Sequence, residues 1–180
     1  MFKRYLALFA LATMVLGASQ ASALEFDEMS YYAQGAVQLP IGDWGDYVSL
    51  GFGPGFGVHV PHSDELSFRG EVSYFFFSTD DEFFGADSDV SVSSLPILAL
   101  AQYSLEDNPI YLLGGIGFNL LSVEIEYDTG FGRFSAEDSS TELNLVAGAG
   151  FMASENLAIE ARFNVVSDAN SLQAGGVLHF

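Results

Sequence analysis

The sequence has no cysteine, and lysine occurs once, at Lys3. Without thiols there is no thiolate nucleophile, no zinc–thiolate site and no disulfide framework. Positive charge is scarce throughout: 5 Lys and Arg stand against 24 Asp and Glu in 180 residues, a formal net charge of -19. Lys3 and Arg4 lie at the N-terminus, so the remaining basic residues are Arg69, Arg133 and Arg162. No basic surface exists to neutralise phosphates, and nucleic acid is excluded as a partner. Beyond Ala23 there is also no apolar stretch of the roughly 20 residues that a spanning helix requires. Yet 49% of the residues are hydrophobic and 16% are charged. A chain this apolar folds, as one domain of ordinary size, and its apolar surface must face a core or lipid. If it crosses a membrane, it does so with strands.

The N-terminus reads as a removable leader. Lys3 and Arg4 precede the apolar run Tyr5 to Leu16, and small residues follow, ending in Ala21-Ser22-Ala23. That pattern predicts a secretory signal peptide over 1–23 and a mature β-barrel domain over 24–180.

Apolar and polar residues then alternate with period 2, as half-buried strands require. The first strand, about 30–39, sets Tyr31, Ala33, Val37 and Leu39 against Tyr32, Gln34 and Gln38. The second, about 50–60, sets Leu50, Phe52, Phe56, Val58 and Val60 against four glycines and His59. Similar patterns run over about 66–77, 109–121, 141–153, 157–166 and 171–180. The stretch 90–103 is the irregular one: Leu98 and Leu100 oppose Ile97, Ala99 and Ala101, and Pro96 cannot donate to a ladder. A bulge or register change is expected there. Eight strands result, with long polar segments over 40–49, 78–89 and 122–140 and short ones over 61–65, 104–108, 154–156 and 167–170. Long loops at one end and short turns at the other are the asymmetry of an outer-membrane barrel.

The second faces decide which side meets lipid. A wet surface carries many Lys and Glu, whereas these faces carry Gly, Ser, Asn and Gln. Small residues suit the interior of an eight-stranded barrel, which is just wide enough for side chains to fill it. The apolar faces hold no ionised residue at their middles, where an Arg would cost about 2–4 kcal/mol at the bilayer midplane. Lipid outside also forbids an open sheet edge, so the sheet must close. Outward aromatics fall toward the strand ends, with Tyr31, Tyr103, Phe151 and Phe180 at one rim and Tyr74, Phe76, Phe118 and Phe163 at the other.

The last eight residues hold Gln173, Gly175, Leu178 and a final Phe180. This pattern resembles the C-terminal signal read by the bacterial barrel-assembly machinery. With it, the mature chain resembles the small outer-membrane β-barrels of Gram-negative bacteria, the OmpA-like and OmpX-like group. The resemblance implies an all-β, eight-stranded, antiparallel up-and-down transmembrane barrel in the outer membrane, monomeric, with lipid and lipopolysaccharide as its surroundings and no cofactor. The peptidoglycan-binding domain of long OmpA-type proteins is not seen, so a cell-wall tether is not implied.

Arg69, Glu71, Glu142, Glu160 and Arg162 all fall on the polar faces. Charges in a filled lumen need partners, so these five are expected to form an ion-pair network that closes it, with a gated ion path as the competing reading. The three histidines offer little for catalysis. A His-x-Ser arrangement would let an imidazole activate a serine, but His62 and Ser63 are adjacent and a strand would point them apart. No catalytic, cofactor or metal residue is expected: the His59/His62 spacing could suggest a metal, but no helix is predicted there to bring the two together. The segments at the long-loop end, 167–170 included, gather Asp43, Asp46, Asp80, Asp81, Glu82, Asp87, Asp89, Glu124, Glu126, Asp128, Glu137, Asp138 and Asp168 against Arg133 alone. They suit a solvated surface rim, or one that takes divalent cations through hard oxygen ligands, including bridges to lipopolysaccharide phosphates. Trp44, Tyr47, Phe83, Phe84, Phe131 and Phe134 lie among them and suit packing of loop on loop or contact with lipid headgroups, with a binding surface as the competing reading. The function expected is non-enzymatic, in envelope integrity or surface interaction. A narrow channel for small solutes, a lipid-modifying enzyme and a soluble lipocalin-like binder are the alternatives.

Overall fold

The computed structural model describes residues 29–79, 88–129, 132–167 and 169–180, with backbone alone at 88–89, 126–129 and 132–134. The expected leader over 1–23 lies outside the described residues. The strands are β1 (Ser30–Pro40), β2 (Val48–Pro61), β3 (Leu66–Ser73), β4 (Phe75–Thr79), β5 (Ser88–Ser104), β6 (Ile110–Thr129), β7 (Gly132–Met152), β8 (Leu157–Val166) and β9 (Ser171–His179). All pairings are antiparallel: β3 and β4 both lie between β2 and β5, the other strands pair with their sequence neighbours, and β9 returns to pair with β1. β3 and β4 are one stave interrupted at Tyr74, so the closed barrel has eight staves. Backbone bonds between Tyr31 and Phe180 (3.3 and 3.0 Å) seal the closure. Around the wall each stave thereby has a partner on both sides, as lipid demands.

Burial alternates residue by residue. In β8, Ala158, Glu160, Arg162, Asn164 and Val166 are buried, while Leu157, Ile159, Phe163 and Val165 are exposed. The greasy face is therefore outside. Ile116, Leu145, Phe52 and Leu172 all lie on the outer wall.

The expected disturbance at Pro96 falls on the neighbouring stave instead. β5 pairs with β6 in one register from Ser88↔Tyr127 through Pro96↔Asn119 to Ser104↔Tyr111. A strand residue directs its N–H and C=O to one side only. Across that other side, Val72↔Ile97 and Phe75↔Ser94 put Pro96 opposite Ser73. On the far side of the same stave, the Tyr74 N–H donates to the Pro54 carbonyl at 2.9 Å, a bond that proline cannot return. Two prolines thus withhold donors from consecutive residues, and the ladder breaks at Tyr74 with register intact.

The segment 122–140, expected as a loop, is mostly strand. β6 and β7 stay paired out to Thr129↔Gly132. Its acids misled the reading: Glu124 and Glu126 alternate with Val123, Ile125 and Tyr127, a pattern that suits a ribbon standing in water. β8 stops pairing at Asn144↔Val166, and only Ser167 to Asn170 separate β8 from β9. The outer part of β7, Gly132 to Leu143, consequently pairs with β6 alone among the described residues. Side chains 135–141 there are exposed. Over 40–49, a 3-10 turn at Gly42–Asp46 folds back over the loop end of the barrel.

Candidate functional site

The lumen is the place where this chain concentrates polar chemistry. Inward parity brings Arg69 and Glu71 from β3 across to Glu160 and Arg162 from β8, and all four are at most 5% exposed. Arg162 donates through Nη1 to Glu71 Oε1 at 2.7 Å and through Nη2 to Glu71 Oε2 at 2.9 Å. Its Nε donates to Glu160 Oε2 at 2.8 Å, and Nη2 reaches the same carboxylate. Arg69 meets Glu160 Oε1 at 2.5 Å and Glu71 Oε2 at 3.5 Å. Two guanidinium groups balance two carboxylates, so the cluster is formally neutral. Burial of four charges is tolerable only with such pairing and with hydrogen bonds to the remaining lone pairs.

Those bonds come from residues that carry no charge. Tyr32 donates its hydroxyl to Glu71 at 2.9 Å and Tyr111 donates to Glu160 at 2.6 Å. Gln34 donates to Glu71 at 2.6 Å and accepts from Arg162 at 3.4 Å. The Arg69 guanidinium lies 4.2 Å from the Tyr32 ring centroid. Inward parity of Tyr32 and Gln34 was visible in the sequence, but their partnership with a strand 37 to 39 residues away was not. The tyrosines fit because glycines stand opposite them. A Cβ at Gly57 would lie 2.2 Å from Tyr32 Cζ, and one at Gly150 2.1 Å from Tyr111 Cζ.

Glu142 stands apart from this cluster, contrary to expectation. Its register partner is Asn119, nearer the loop end, and it accepts a hydrogen bond from the Ser140 hydroxyl at 3.5 Å. Same-face parity did not imply proximity: Glu160 pairs with Gly150, which lies well along β7 from Glu142, so the two carboxylates stand at different heights.

Toward the loop end the lumen divides. On the β8, β9 and β1 side, Gln38 donates to Ser171 at 2.5 Å, while Asn164 donates to Ser171 at 3.3 Å and to Gln173 at 3.4 Å. On the β2, β4 and β5 side, Val48, Phe75, Phe77, Val92 and Ala36 form an apolar cluster. Trp44 of the 3-10 turn packs edge-on against Phe77, with ring centroids 4.8 Å apart, and closes this sector from above. A cavity of about 130 Å³ remains beside Trp44, Val123 and Asp138. Leu98 and Leu100 are buried on the face opposite Ile97 and Ala99, as their parity implies, and with inward Phe75, Phe77 and Val146 they make part of the lumen apolar where a polar one was expected.

At the turn end, His59 and His179 face inward with ring centroids 6.0 Å apart. His62 is exposed and its ring lies 5.7 Å from Phe68, while the Ser63 hydroxyl accepts the Leu66 N–H at 3.1 Å and closes the turn. No His-Ser pair poised for catalysis is formed by these residues.

The C-terminal pattern alternates across the wall. Gln173 is buried in the lumen, and a Cβ at Gly175 would come 2.7 Å from Ala36 Cβ and from the Gly35 carbonyl. Leu178 and Phe180 are 51% and 65% exposed on the outer face. Of the loop acids, Asp43, Asp46, Glu124, Glu137 and Asp138 have described side chains, and most stand in solvent. Asp80, Asp81, Glu82, Asp87 and Asp168 lie outside the described residues, as do Phe83, Phe84 and Phe131.

Comparison with known proteins agrees with this architecture. The profile of the outer membrane protein beta-barrel domain matches residues 8–179. No curated protein matches by sequence. Among solved structures, Ail, the attachment invasion locus protein of Yersinia pestis, superposes with a TM-score of 0.62 at 16% identity, covering 84% of this chain and 97% of that one. The N-terminal β-barrel domain of Pseudomonas aeruginosa OprF gives 0.55 at 12% identity, with the same coverages. The outer membrane protein OprG of that species gives 0.52 at 12%, covering 84% and 95%. At these identities the likeness is one of fold.

Proposed function

The chain belongs to the outer membrane β-barrel family and resides in the outer membrane, and from that premise we propose that it is a non-enzymatic barrel, shut along its axis, whose loop-end surface serves surface interaction or envelope integrity. The observation that carries this reading is the buried Arg69–Glu71–Glu160–Arg162 cluster. A charged solute following the lumen would have to part pairs that leave no wide water path. The acidic side chains of the projecting β6–β7 ribbon are then what the outside meets. Asp138 even accepts the N–H of Ser139 at 2.9 Å, which blunts the unpaired β7 edge.

Purified barrel in planar bilayers is expected to be electrically silent. Reproducible conductance steps would overturn the closed reading in favour of a narrow channel. The loop carboxylates are proposed to take Mg²⁺ or Ca²⁺ and through it lipopolysaccharide phosphates, since hard cations prefer oxygen. Lipopolysaccharide binding in nanodiscs should therefore fall with EDTA. Absence of acyl release from labelled lipopolysaccharide or phospholipid is the expected result for the non-enzymatic reading. The Gln173, Gly175, Leu178 and Phe180 pattern is proposed as the segment that the assembly machinery reads, and Phe180→Ala should lower insertion in cells.

A further inference from the structure

The chain has three histidines, and the fold brings two of them together from positions 120 residues apart. His59 on β2 and His179 on β9 flank β1 from opposite sides, His59 opposite Ser30 and His179 opposite Tyr32. Both rings point into the turn-end mouth of the lumen, neither is fully buried, and their planes stand at 85° with centroids 6.0 Å apart. Metal–nitrogen bonds of about 2.0–2.1 Å place two imidazoles on one tetrahedral metal with ring centroids roughly 5 Å apart, so the two rings need to close by only about 1 Å, within reach of side-chain rotation. From this geometry we propose that His59 and His179 form a two-imidazole site for a borderline transition-metal cation such as Zn²⁺ or Ni²⁺, completed by water at the open mouth.

Imidazole suits these metals, whereas Mg²⁺ and Ca²⁺ prefer carboxylate oxygen. The charged groups facing the pair are Arg69, which acts on both rings, and Glu160, which acts on His179. Arg69 opposes a dication, but its charge is already met by Glu160 and Glu71, so the site is of modest affinity rather than abolished. His62 lies outside it, on the Phe68 ring. The consequence is structural: a bound metal ties β2 to β9 across β1, the place where the last strand closes on the first. A ligand that binds only the folded barrel stabilises it by mass action. This site is at the opposite end from the acidic loops and does not depend on the surface role proposed above.

The test is thermal unfolding of the refolded, full barrel in detergent or nanodiscs, read by heat-dependent gel migration. Added Ni²⁺ or Zn²⁺ should raise the wild-type midpoint, and EDTA should reverse the rise. His59→Gln and His179→Gln should each remove most of it, while His62→Gln keeps it. Any effect of Mg²⁺ through the loops should survive in the His59→Gln/His179→Gln variant. No rise in the wild type, a rise retained by that double variant, or a rise lost with His62→Gln would overturn the proposal. Should the variants fold poorly, histidine ring NMR of the wild type decides. Substoichiometric Ni²⁺ must broaden two of three ring signals together, and uniform broadening or none refutes the site.

Discussion

Arg162 is the residue on which the lumen cluster most depends, and its replacement by methionine tests the physical account most sharply. It makes three charge-assisted hydrogen bonds of 2.7–2.9 Å, two to Glu71 and one to Glu160, besides the further Nη2 contact with Glu160. Arg69 makes one close contact at 2.5 Å, a longer one at 3.5 Å and a weak bond to Gln102 at 3.4 Å. In Arg162→Met the side-chain volume is partly kept, but two buried carboxylates are left sharing one guanidinium. Removing one partner of a buried ion pair costs about 3–5 kcal/mol, because an uncompensated charge remains. Arg69→Met leaves the same uncompensated charge and should fall toward the lower end of that range, about 3 kcal/mol, because Arg162 keeps its bonds to both carboxylates. Adding Glu71→Gln to Arg162→Met restores neutrality, since Arg69 and Glu160 remain paired. The double variant should therefore be more stable than Arg162→Met alone. Urea unfolding of the barrel in lipid vesicles, followed by gel migration of the folded form, measures all four proteins. An Arg162→Met barrel within about 1 kcal/mol of wild type, or a double variant less stable than the single, would refute the claim that buried charge balance holds the lumen together.

Other substitutions test other links. Ile116→Arg on the outer wall should destabilise the barrel by about 2–4 kcal/mol, falling toward zero for the same change near a rim, as depth in the bilayer dictates; refolding yields into vesicles check this. Gly57→Val forces a side chain into the Tyr32 ring, and the resulting overpacking should cost about 1–3 kcal/mol and free the Glu71–Tyr32 bond; equilibrium unfolding measures it. Pro96→Ala should leave every strand register unchanged and create an amide opposite Ser73 that is protected in hydrogen exchange. Phe77→Ala should shift the fluorescence of Trp44 to the red, because the single tryptophan loses its edge-on partner and gains water.

Much of the barrel was legible because side chains alternate along most of every strand, the register shift between Val48 and Gly51 in β2 apart. Once Leu157, Ile159, Ala161, Phe163 and Val165 are read as one face, Glu160 and Arg162 must share the other, and the same logic places Arg69 and Glu71 inside. Alternation carries no information about height, however. Glu142 shares their face but not their level, so it stands with Ser140 instead of the arginines. Nor does composition separate a loop from a ribbon in water, which is why the strands over 122–140 were missed: Glu124 and Glu126 supply the polar half of a strand pattern.

The sequence by itself determined which residues share a face, and, through the small, weakly charged second faces and the cost of unpaired groups in hydrocarbon, that the apolar face meets lipid and the sheet closes. Only the tertiary structure decided which inward residues meet. Register and stagger set those partnerships: Tyr32 with Glu71, Tyr111 with Glu160, His59 beside His179, and an apolar sector under Trp44. The physical reason is that each contact joins strands distant in the chain, and it exists only once eight tilted staves close around a shared axis.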